Sequence, residues 1–171
     1  IFLVSCSPKI STPASDINAI LNGEHRADAH VERDRYRNPA ATLDFFGVTP
    51  EMDVIEINPG RGYYLEILAP FISGNYLVAG NYDLESESNY IRRSTHILNE
   101  KLGSDEIYKD VKVIHFDKES LEVLEASVDA VLTFRNIHSF SGDNGARDSF
   151  KLFFEALRPG GVLGVVQHRS V

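Results

Sequence analysis

One segment, Asp53 to Tyr64, constrains the fold of this chain more than any other. It begins with a short apolar run that ends at an acid, Glu56, and continues into a turn that contains Gly60 and Gly62. Apolar residues with helical spacing follow, so the segment predicts a strand, a tight loop and a helix. Because glycine has no Cβ and readily adopts positive φ, the backbone of this loop can come close to a ligand. Ligands of open α/β sheets bind at this end of the strands, where Glu56 could accept hydrogen bonds.

Strands and helices alternate along the chain, which predicts a parallel sheet with right-handed crossovers. The predicted strands are Asp53–Ile57, Tyr76–Gly80, Lys112–Phe116, Asp129–Phe134 and Val162–Val166. Helices are predicted at Asp16–Leu21, with Ser15 as N-cap, at Ala27–Tyr36, from Asn38-Pro39 to Gly47, at Ile91–Leu102 and at Leu121–Leu124. Two more helices are predicted from apolar residues on one face: Tyr64, Leu68 and Phe71 in the first, and Phe150, Phe153, Phe154 and Leu157 in the second. We expect the phenylalanines of the last helix to lie in the core.

Composition excludes several functional classes. A chain of 171 residues is most simply one domain. Its net charge of −8 argues against a dedicated nucleic-acid binder, which usually has a basic face. The arginines between His25 and Arg37 alternate with acids, which favours a solvated helix face. A single cysteine excludes an internal disulfide and a multi-cysteine metal site.

The first residues have the features of an export signal. The apolar start leads into Leu3–Cys6, which resembles a bacterial lipobox, and a Ser/Pro-rich stretch, Ser7–Ser15, follows as a flexible tether. We therefore expect residues 1–15 to be a signal remnant and tether, with a membrane anchor at Cys6 and a location in the cell envelope or periplasm. The alternatives are a buried N-terminal strand or a chance match, with a cytoplasmic location.

Five segments in order resemble the class I S-adenosylmethionine-dependent methyltransferases: Val54–Gly62, Asp83, Phe116–Asp117, Val128–Asn136 and Leu157–Leu163. The resemblance covers about Asn38 to His168 and implies a methyltransferase-like domain over residues 16–171. The implied fold is Rossmann-like, a doubly wound, mostly parallel sheet of the class I methyltransferase type. The implied cofactor is S-adenosyl-L-methionine, and the acceptor is expected to be a small molecule or an envelope component.

A narrower likeness points to a group of predicted, often exported, bacterial methyltransferases. It is carried by Arg37–Pro39, Phe45–Val48, Ile67–Pro70, Phe134–His138 and Gly164–Arg169. The family's sheet has seven strands, whereas this sequence stops after the fifth, so we interpret it as truncated. An apolar edge at strand five would be a template for pairing, and a homodimer is one expectation from it.

The resemblance also assigns roles to residues. Glu56 would orient the amino-acid or ribose end of the cofactor, Asp83 would bind the ribose hydroxyls, and Asp117 would accept from the adenine amine. Asn58 replaces the usual first glycine of the motif, and asparagine tolerates left-handed geometry better than most residues. His138 is the candidate general base, with His25, His168 and Tyr63 as weaker ones. The full expected cofactor set is Glu56, Asn58, Gly60, Gly62, Asp83, Asp117, Arg135 and Asn136.

Two other functions compete with methyl transfer. A nicotinamide-dependent oxidoreductase would show the pattern G-x-G-x-x-G, but Leu65 stands where its third glycine belongs. A non-catalytic binding protein would retain the fold without turnover, and fold alone does not distinguish it from an enzyme.

Overall fold

A five-stranded sheet forms the centre of the molecule in a computed structural model, which describes residues 16–140 and 145–168. The expected signal remnant, the tether, Ser15 and Cys6 lie outside the described residues. The helices are α1 (Ile17–Leu21), α2 (Asp28–Val31), α3 (Asp34–Arg37), α4 (Pro39–Phe45), α5 (Leu65–Phe71), α6 (Asn89–Leu102) and α7 (Gly145–Ala156), with 3₁₀ turns at Glu106–Tyr108 and Ile137–Phe140. The strands are β1 (Val54–Ile57), β2 (Tyr76–Gly80), β3 (Lys112–His115), β4 (Val128–Phe134) and β5 (Leu157–Val166).

The sheet has the doubly wound topology that the sequence predicts. Its strand order is β3-β2-β1-β4-β5, and every neighbouring pair is parallel. After β3 the chain crosses to the far side of β1 to form β4, so the order reverses between β1 and β4. The loops that follow these two strands diverge, and a crevice opens at their carboxyl ends.

Helices cover both faces of the sheet. Val54 packs in one cluster with Leu68 of α5 and Leu98 of α6, whereas Ile57 packs in a second cluster with Phe153 of α7. Successive side chains of a strand point to opposite faces, which accounts for this alternation. All four residues of β1 are buried, so Glu56 must find its polar partners inside the protein.

A buried carboxylate connects helix α2 to helices α5 and α6. Glu66 of α5 is fully buried. It accepts from Lys101 Nζ of α6 at 2.5 Å and from the backbone N–H of Ala27 at 3.3 Å. His30 Nδ1 of α2 lies 3.0 Å from the same carboxylate. The network therefore joins α2, α5 and α6.

A second polar network fixes α3. Arg26 donates to both carboxylate oxygens of Asp34 at 2.6 and 2.9 Å, and the Tyr63 hydroxyl donates to Asp34 Oδ1 at 2.6 Å. Arg26 is only 4% exposed. The prediction of a fully solvated charged face is therefore wrong at this residue, because its partner is eight positions away and close only in the folded chain.

Three further predictions are wrong in detail. The helix predicted over Ala27–Tyr36 is two short helices, α2 and α3. Residues 121–124 are not helical, and Leu121 instead forms an antiparallel bridge with Phe116. Phe154 is 77% exposed, because it lies about 100° around α7 from the buried Phe153.

Several boundaries also shift. Asp16 is the N-cap of α1 and accepts from the Asn18 N–H at 2.9 Å. Asn38 precedes α4 as predicted, but its backbone is left-handed and its side chain makes no capping bond. The strand β5 begins at Leu157, and its pairing with β4 is irregular before Val162. No described helix combines the length and apolarity needed to cross a bilayer.

We expect Glu66→Gln to lower the free energy of unfolding by about 2–4 kcal/mol, because it leaves Lys101 without its charged partner. Urea unfolding at pH 7 measures the change. Glu100→Gln is the control, since Glu100 is an exposed residue of α6. Equal stabilities of the two variants would show that the buried network contributes nothing specific.

Candidate functional site

Two adjoining cavities lie at the crevice. The first, the crevice cavity, has a volume of about 540 Å³. The second, the glutamate cavity, has a volume of about 240 Å³ and includes Glu56 in its wall. Asn58, Gly60 and Asn136 line both cavities. The crevice cavity is also lined by residues that follow β2 and β3, namely Asn81, Tyr82, Phe116, Asp117 and Lys118, and by Ser88, Tyr90, Ile91, Ser94, Ser139, Phe140, Gly145 and Ser149.

The loop after β1 is built from residues with positive φ. The φ angles are 48° at Asn58, 62° at Gly60 and 82° at Gly62. Asparagine is among the few residues that enter this region at low cost. Asn58 thus has the left-handed backbone that the sequence led us to expect, and its role at the cofactor site stays a prediction.

The two glycines of the loop have different surroundings. A Cβ built on Gly60 would meet no atom within 4 Å, and Gly60 faces the open crevice. A Cβ on Gly62 would lie 3.3 Å from Leu65 and 3.5 Å from Lys101. Gly60 therefore leaves space where a ligand can approach, whereas Gly62 allows close packing against the next helix.

Glu56 is a buried acid with an unusual titration. It is 2% exposed, and the Tyr76 hydroxyl of β2 donates a short hydrogen bond to its Oε2. Burial raises the pKa of Glu56 from 4.5 to about 7, although Tyr76 and the nearby Arg37 act in the opposite direction. Near neutral pH the carboxyl group is therefore divided between its acid and ionised forms.

Asn136 holds the two sides of the crevice together. Its Nδ2 donates to the carbonyl oxygens of Ile57 at 2.8 Å and Asn58 at 3.1 Å, and it lies 3.3 Å from Thr133 Oγ1. The end of β1 is thus fastened to the start of the loop after β4. The predicted site residue Asn136 lines the cavities while it fixes their shape.

Arg135 also has a left-handed backbone, with φ of 64°. It lines the glutamate cavity but is not among the residues that line the crevice cavity. Its Nε lies 2.9 Å from His168 Nε2 after β5. The side chain therefore points from the end of β4 toward the end of β5.

The two predicted acids after β2 and β3 differ in position. Asp117 lines the crevice cavity, whereas Asp83 is not among its lining residues. Asp83 Oδ1 accepts from the Glu85 N–H at 2.8 Å in an exposed turn. Burial acts to raise the pKa of Asp117, but hydrogen bonds from His115 and from backbone N–H groups lower it below its usual value. Asp117 is accordingly ionised and next to the cavity.

The predicted base, His138, is an exposed residue of the 3₁₀ turn Ile137–Phe140. It is not among the residues that line either cavity. Of the weaker candidates, Tyr63 lines the glutamate cavity, and His25 Nε2 lies 2.9 Å from the Glu66 carbonyl oxygen. The role of His138 stays a prediction.

Sequence reasoning missed two groups of lining residues. Asn81 and Tyr82 line the crevice cavity immediately after β2, where only Asp83 drew attention. Arg37 lines the glutamate cavity, and its guanidinium lies 4.2 Å from the centre of the Tyr63 ring. The position of Asn81 and Tyr82 at a strand end was a usable signal. Arg37 belongs to the segment Arg37–Pro39 of the narrower likeness, but that likeness gave it no role at the site. Within residues 16–140 and 145–168, no group of three potential ligand side chains could hold a metal ion.

Solved structures share this architecture. A SAM-dependent methyltransferase from Aquifex aeolicus aligns with a TM-score of 0.54 and 18% identity, over 84% of this chain and 68% of its own. An S-adenosylmethionine-dependent methyltransferase from Mesorhizobium loti gives 0.50 and 18%, over 72% and 50%. The chain has the class I methyltransferase fold.

Other comparisons limit what this likeness shows. A complex that contains the Trm112 methyltransferase activator of Haloferax volcanii aligns with a TM-score of 0.54 and 15% identity, over 86% of this chain and 57% of the other. The chain thus spans about half to two thirds of the lengths of these structures. No family model and no curated protein matches the sequence. At these identities the likeness establishes the fold alone.

The raised pKa of Glu56 predicts a pH-dependent stability. Since the folded state holds this proton more tightly, the stabilisation is complete below about pH 4.5 and is lost as pH rises through about 7. The loss amounts to about 3 kcal/mol. In Glu56→Gln this part of the pH dependence should be absent, because the amide cannot titrate and can still accept from Tyr76.

Urea unfolding at pH 5, 6, 7 and 8 tests this prediction. Glu51→Gln, at an exposed site before β1, is the control and should follow the wild type. Parallel stability profiles for Glu56→Gln and the wild type would contradict the predicted pKa.

Proposed function

We propose that this protein binds S-adenosyl-L-methionine at the crevice and transfers its methyl group to a small-molecule or envelope acceptor. The observation that carries the proposal is the loop after β1, in which Asn58, Gly60 and Gly62 all have positive φ beside the buried Glu56. This loop lies in a fold shared with the solved SAM-dependent methyltransferases.

The crevice matches this cofactor in size and in charge. A cavity of about 540 Å³ is within the usual range for small-ligand sites. Gly60 leaves its side-chain space open toward the cavity. Glu56, when ionised, can accept hydrogen bonds from the ammonium group of the methionine end. Asp117 supports an assignment to the adenosine end, because it is an acceptor at the wall of the crevice cavity.

The chemistry asks little of the protein beyond position and electrostatics. The bound cofactor would supply a methyl group already activated by its sulfonium. Alignment of reactants can lower a barrier by about 7–11 kcal/mol. Asn136 contributes here by fixing the distance between the two loops. A general base is needed only when the acceptor must lose a proton, and His138 is our candidate for that role.

An oxidoreductase function has less support. A dinucleotide site requires a third glycine for close packing of the helix against the strand. In this chain Leu65 occupies that position and is fully buried in the core. We therefore place the nicotinamide alternative last, behind methyl transfer and the non-catalytic binding protein.

A pair of glycine variants tests the cofactor site. Gly60 and Gly47 have similar φ, 62° and 68°, and a Cβ at either would meet no atom within 4 Å. We expect Gly60→Ala and Gly47→Ala each to lower stability by about 1–2 kcal/mol through left-handed strain. Only Gly60→Ala should weaken the binding of S-adenosylhomocysteine, by tenfold or more, because only its methyl group enters the crevice.

Calorimetric titration with S-adenosylhomocysteine and with NAD gives the affinities, and urea unfolding gives the stabilities. Equal loss of binding in both glycine variants would contradict the site. A response to NAD alone would favour the oxidoreductase. Binding of the cofactor without methyl transfer to any acceptor would favour the non-catalytic alternative.

Titration of Glu56 makes cofactor binding depend on pH. If only the ionised carboxylate accepts from the ligand's ammonium group, affinity rises as pH passes through about 7. We expect S-adenosylhomocysteine to bind roughly tenfold more tightly at pH 8 than at pH 6. Glu56→Gln should bind weakly with a flat profile over this range. The same pH dependence in that variant would exclude Glu56 as its source.

A further inference from the structure

A third cavity opens beside the glutamate cavity, and three arginines contribute to its wall. This arginine pocket has a volume of about 820 Å³. Its wall includes Arg33, Arg37 and Arg135, together with Tyr64, Phe134 and His168. The three arginines also line the glutamate cavity, so the two spaces adjoin. The pocket lies at the ends of β4 and β5.

In the part of the chain that the structure describes, carboxylates form no ion pairs with the arginines of this pocket. Within the described ranges, 16–140 and 145–168, no ion pair joins Arg33, Arg37 or Arg135 to a carboxylate. Arg26 and Arg158, by contrast, are both paired with aspartates. Such a cluster is notable in a chain with a net charge of −8.

The arginines also act on one another. Burial lowers the pKa of Arg37, and repulsion from Arg135 and Arg33 lowers it further. Among the described residues that line the arginine pocket and the glutamate cavity, Glu56 carries the only carboxylate. Because the pKa of Glu56 is about 7, it offers about half a negative charge near neutral pH.

The cluster is held in place by groups that do not neutralise it. Asp34, next to Arg33, is already paired with Arg26 and Tyr63. The guanidinium of Arg37 rests 4.2 Å from the centre of the Tyr63 ring. The Nε and Nη2 atoms of Arg135 lie 2.9 and 2.8 Å from the ring nitrogens of His168. Arg37 and Arg135 are therefore held in place before any ligand arrives, which reduces the entropy cost of binding an anion.

A cofactor with a sulfonium makes the imbalance larger. The sulfonium and the ammonium group are both positive, whereas the cofactor has a single carboxylate. That carboxylate could balance one guanidinium of the cluster. A further anion would offset the remaining positive charge when the crevice and the arginine pocket are filled together.

We propose that the methyl acceptor carries an oxyanion, a carboxylate or a phosphate, which Arg33 and Arg135 bind in the arginine pocket. This inference rests on the proposed function. A guanidinium matches such groups with two parallel hydrogen bonds. The stacked rings of Tyr64 and Phe134, with centres 3.5 Å apart, form a flat wall for the apolar part of the acceptor. The oxyanion can belong to a soluble molecule or to a lipid headgroup.

The test uses the double variant Arg33→Gln/Arg135→Gln of the full chain. Arg147→Gln is the control, since Arg147 is exposed on α7 and is not a lining residue of the pocket. The probes are sodium phosphate and sodium acetate, added at constant ionic strength to protein saturated with S-adenosylhomocysteine. Arginine Nε–Hε resonances in NMR spectra report binding, with sodium chloride as the reference.

We expect saturable shifts with phosphate or acetate in the wild type and in the control, and at least a tenfold weaker response in the double variant. In the single variant Arg33→Gln, which keeps the expected cofactor residue Arg135, the affinity for S-adenosylhomocysteine should change less than threefold. Shifts no larger than those with chloride, or shifts retained in the double variant, would overturn the proposal. A tenfold loss of S-adenosylhomocysteine affinity in Arg33→Gln would also overturn it, because Arg33 would then serve the cofactor.

Two further results distinguish a failure of the proposed function from a failure of this inference, and a soluble anion from a lipid headgroup. Failure of the wild type to bind S-adenosylhomocysteine would overturn the proposed function itself, whereas normal binding without any anion response would overturn this inference alone. Sedimentation with phosphatidylglycerol vesicles, compared with phosphatidylcholine vesicles, identifies the source. Pelleting that depends on Arg33 and Arg135 assigns a headgroup, and equal pelleting with both vesicles assigns a soluble anion.

Discussion

The candidate site depends on the hydrogen bonds that the side-chain amide of Asn136 donates. This amide reaches from the loop after β4 to the carbonyl groups of Ile57 and Asn58 at the end of β1. The strand order reverses between these two strands, and their mutual pairing ends at Ile57 and Thr133. Without a side chain that bridges them, the loops could separate, and the left-handed turn at Asn58 and Gly60 would lose its fixed position beside the crevice.

The sequence made the centre of the sheet predictable because β1 and β4 are buried. β1 and β4 read as short apolar runs, and their pattern suffices to place them within about one residue. The loop after β1 was predictable for a different reason. Glycine and asparagine are the residues that most readily adopt positive φ, and Asn58, Gly60 and Gly62 all do so here. The helices on the N-terminal side were less predictable. Their ends depend on Asp34 and Glu66, whose partners are distant in sequence.

The site was most predictable where a residue lies within two positions of the end of a strand. Asn58, Asp117 and Asn136 line the crevice cavity for that reason. Asp83 follows β2 by three residues, and its turn with Glu85 carries it away from the lining. Phe154 shows the same limit in a helix, because one residue of rotation separates a buried position from an exposed one. The local sequence pattern predicts which part of the fold a residue lies in, whereas the packing of the surrounding chain decides where its side chain points.

The charges between His25 and Arg37 show why net composition hid the arginine pocket. Acids and arginines alternate there, so each charge seems to have a partner nearby. In the folded chain Asp34 is taken by Arg26 and Tyr63, and Arg33 and Arg37 keep their charge facing a cavity. Among the described residues that line the two cavities, Glu56 carries the only carboxylate, and burial raises its pKa to about 7. A half-protonated buried acid therefore faces a group of arginines that have no ion pair among the described residues, and an anionic ligand would complete this electrostatic arrangement.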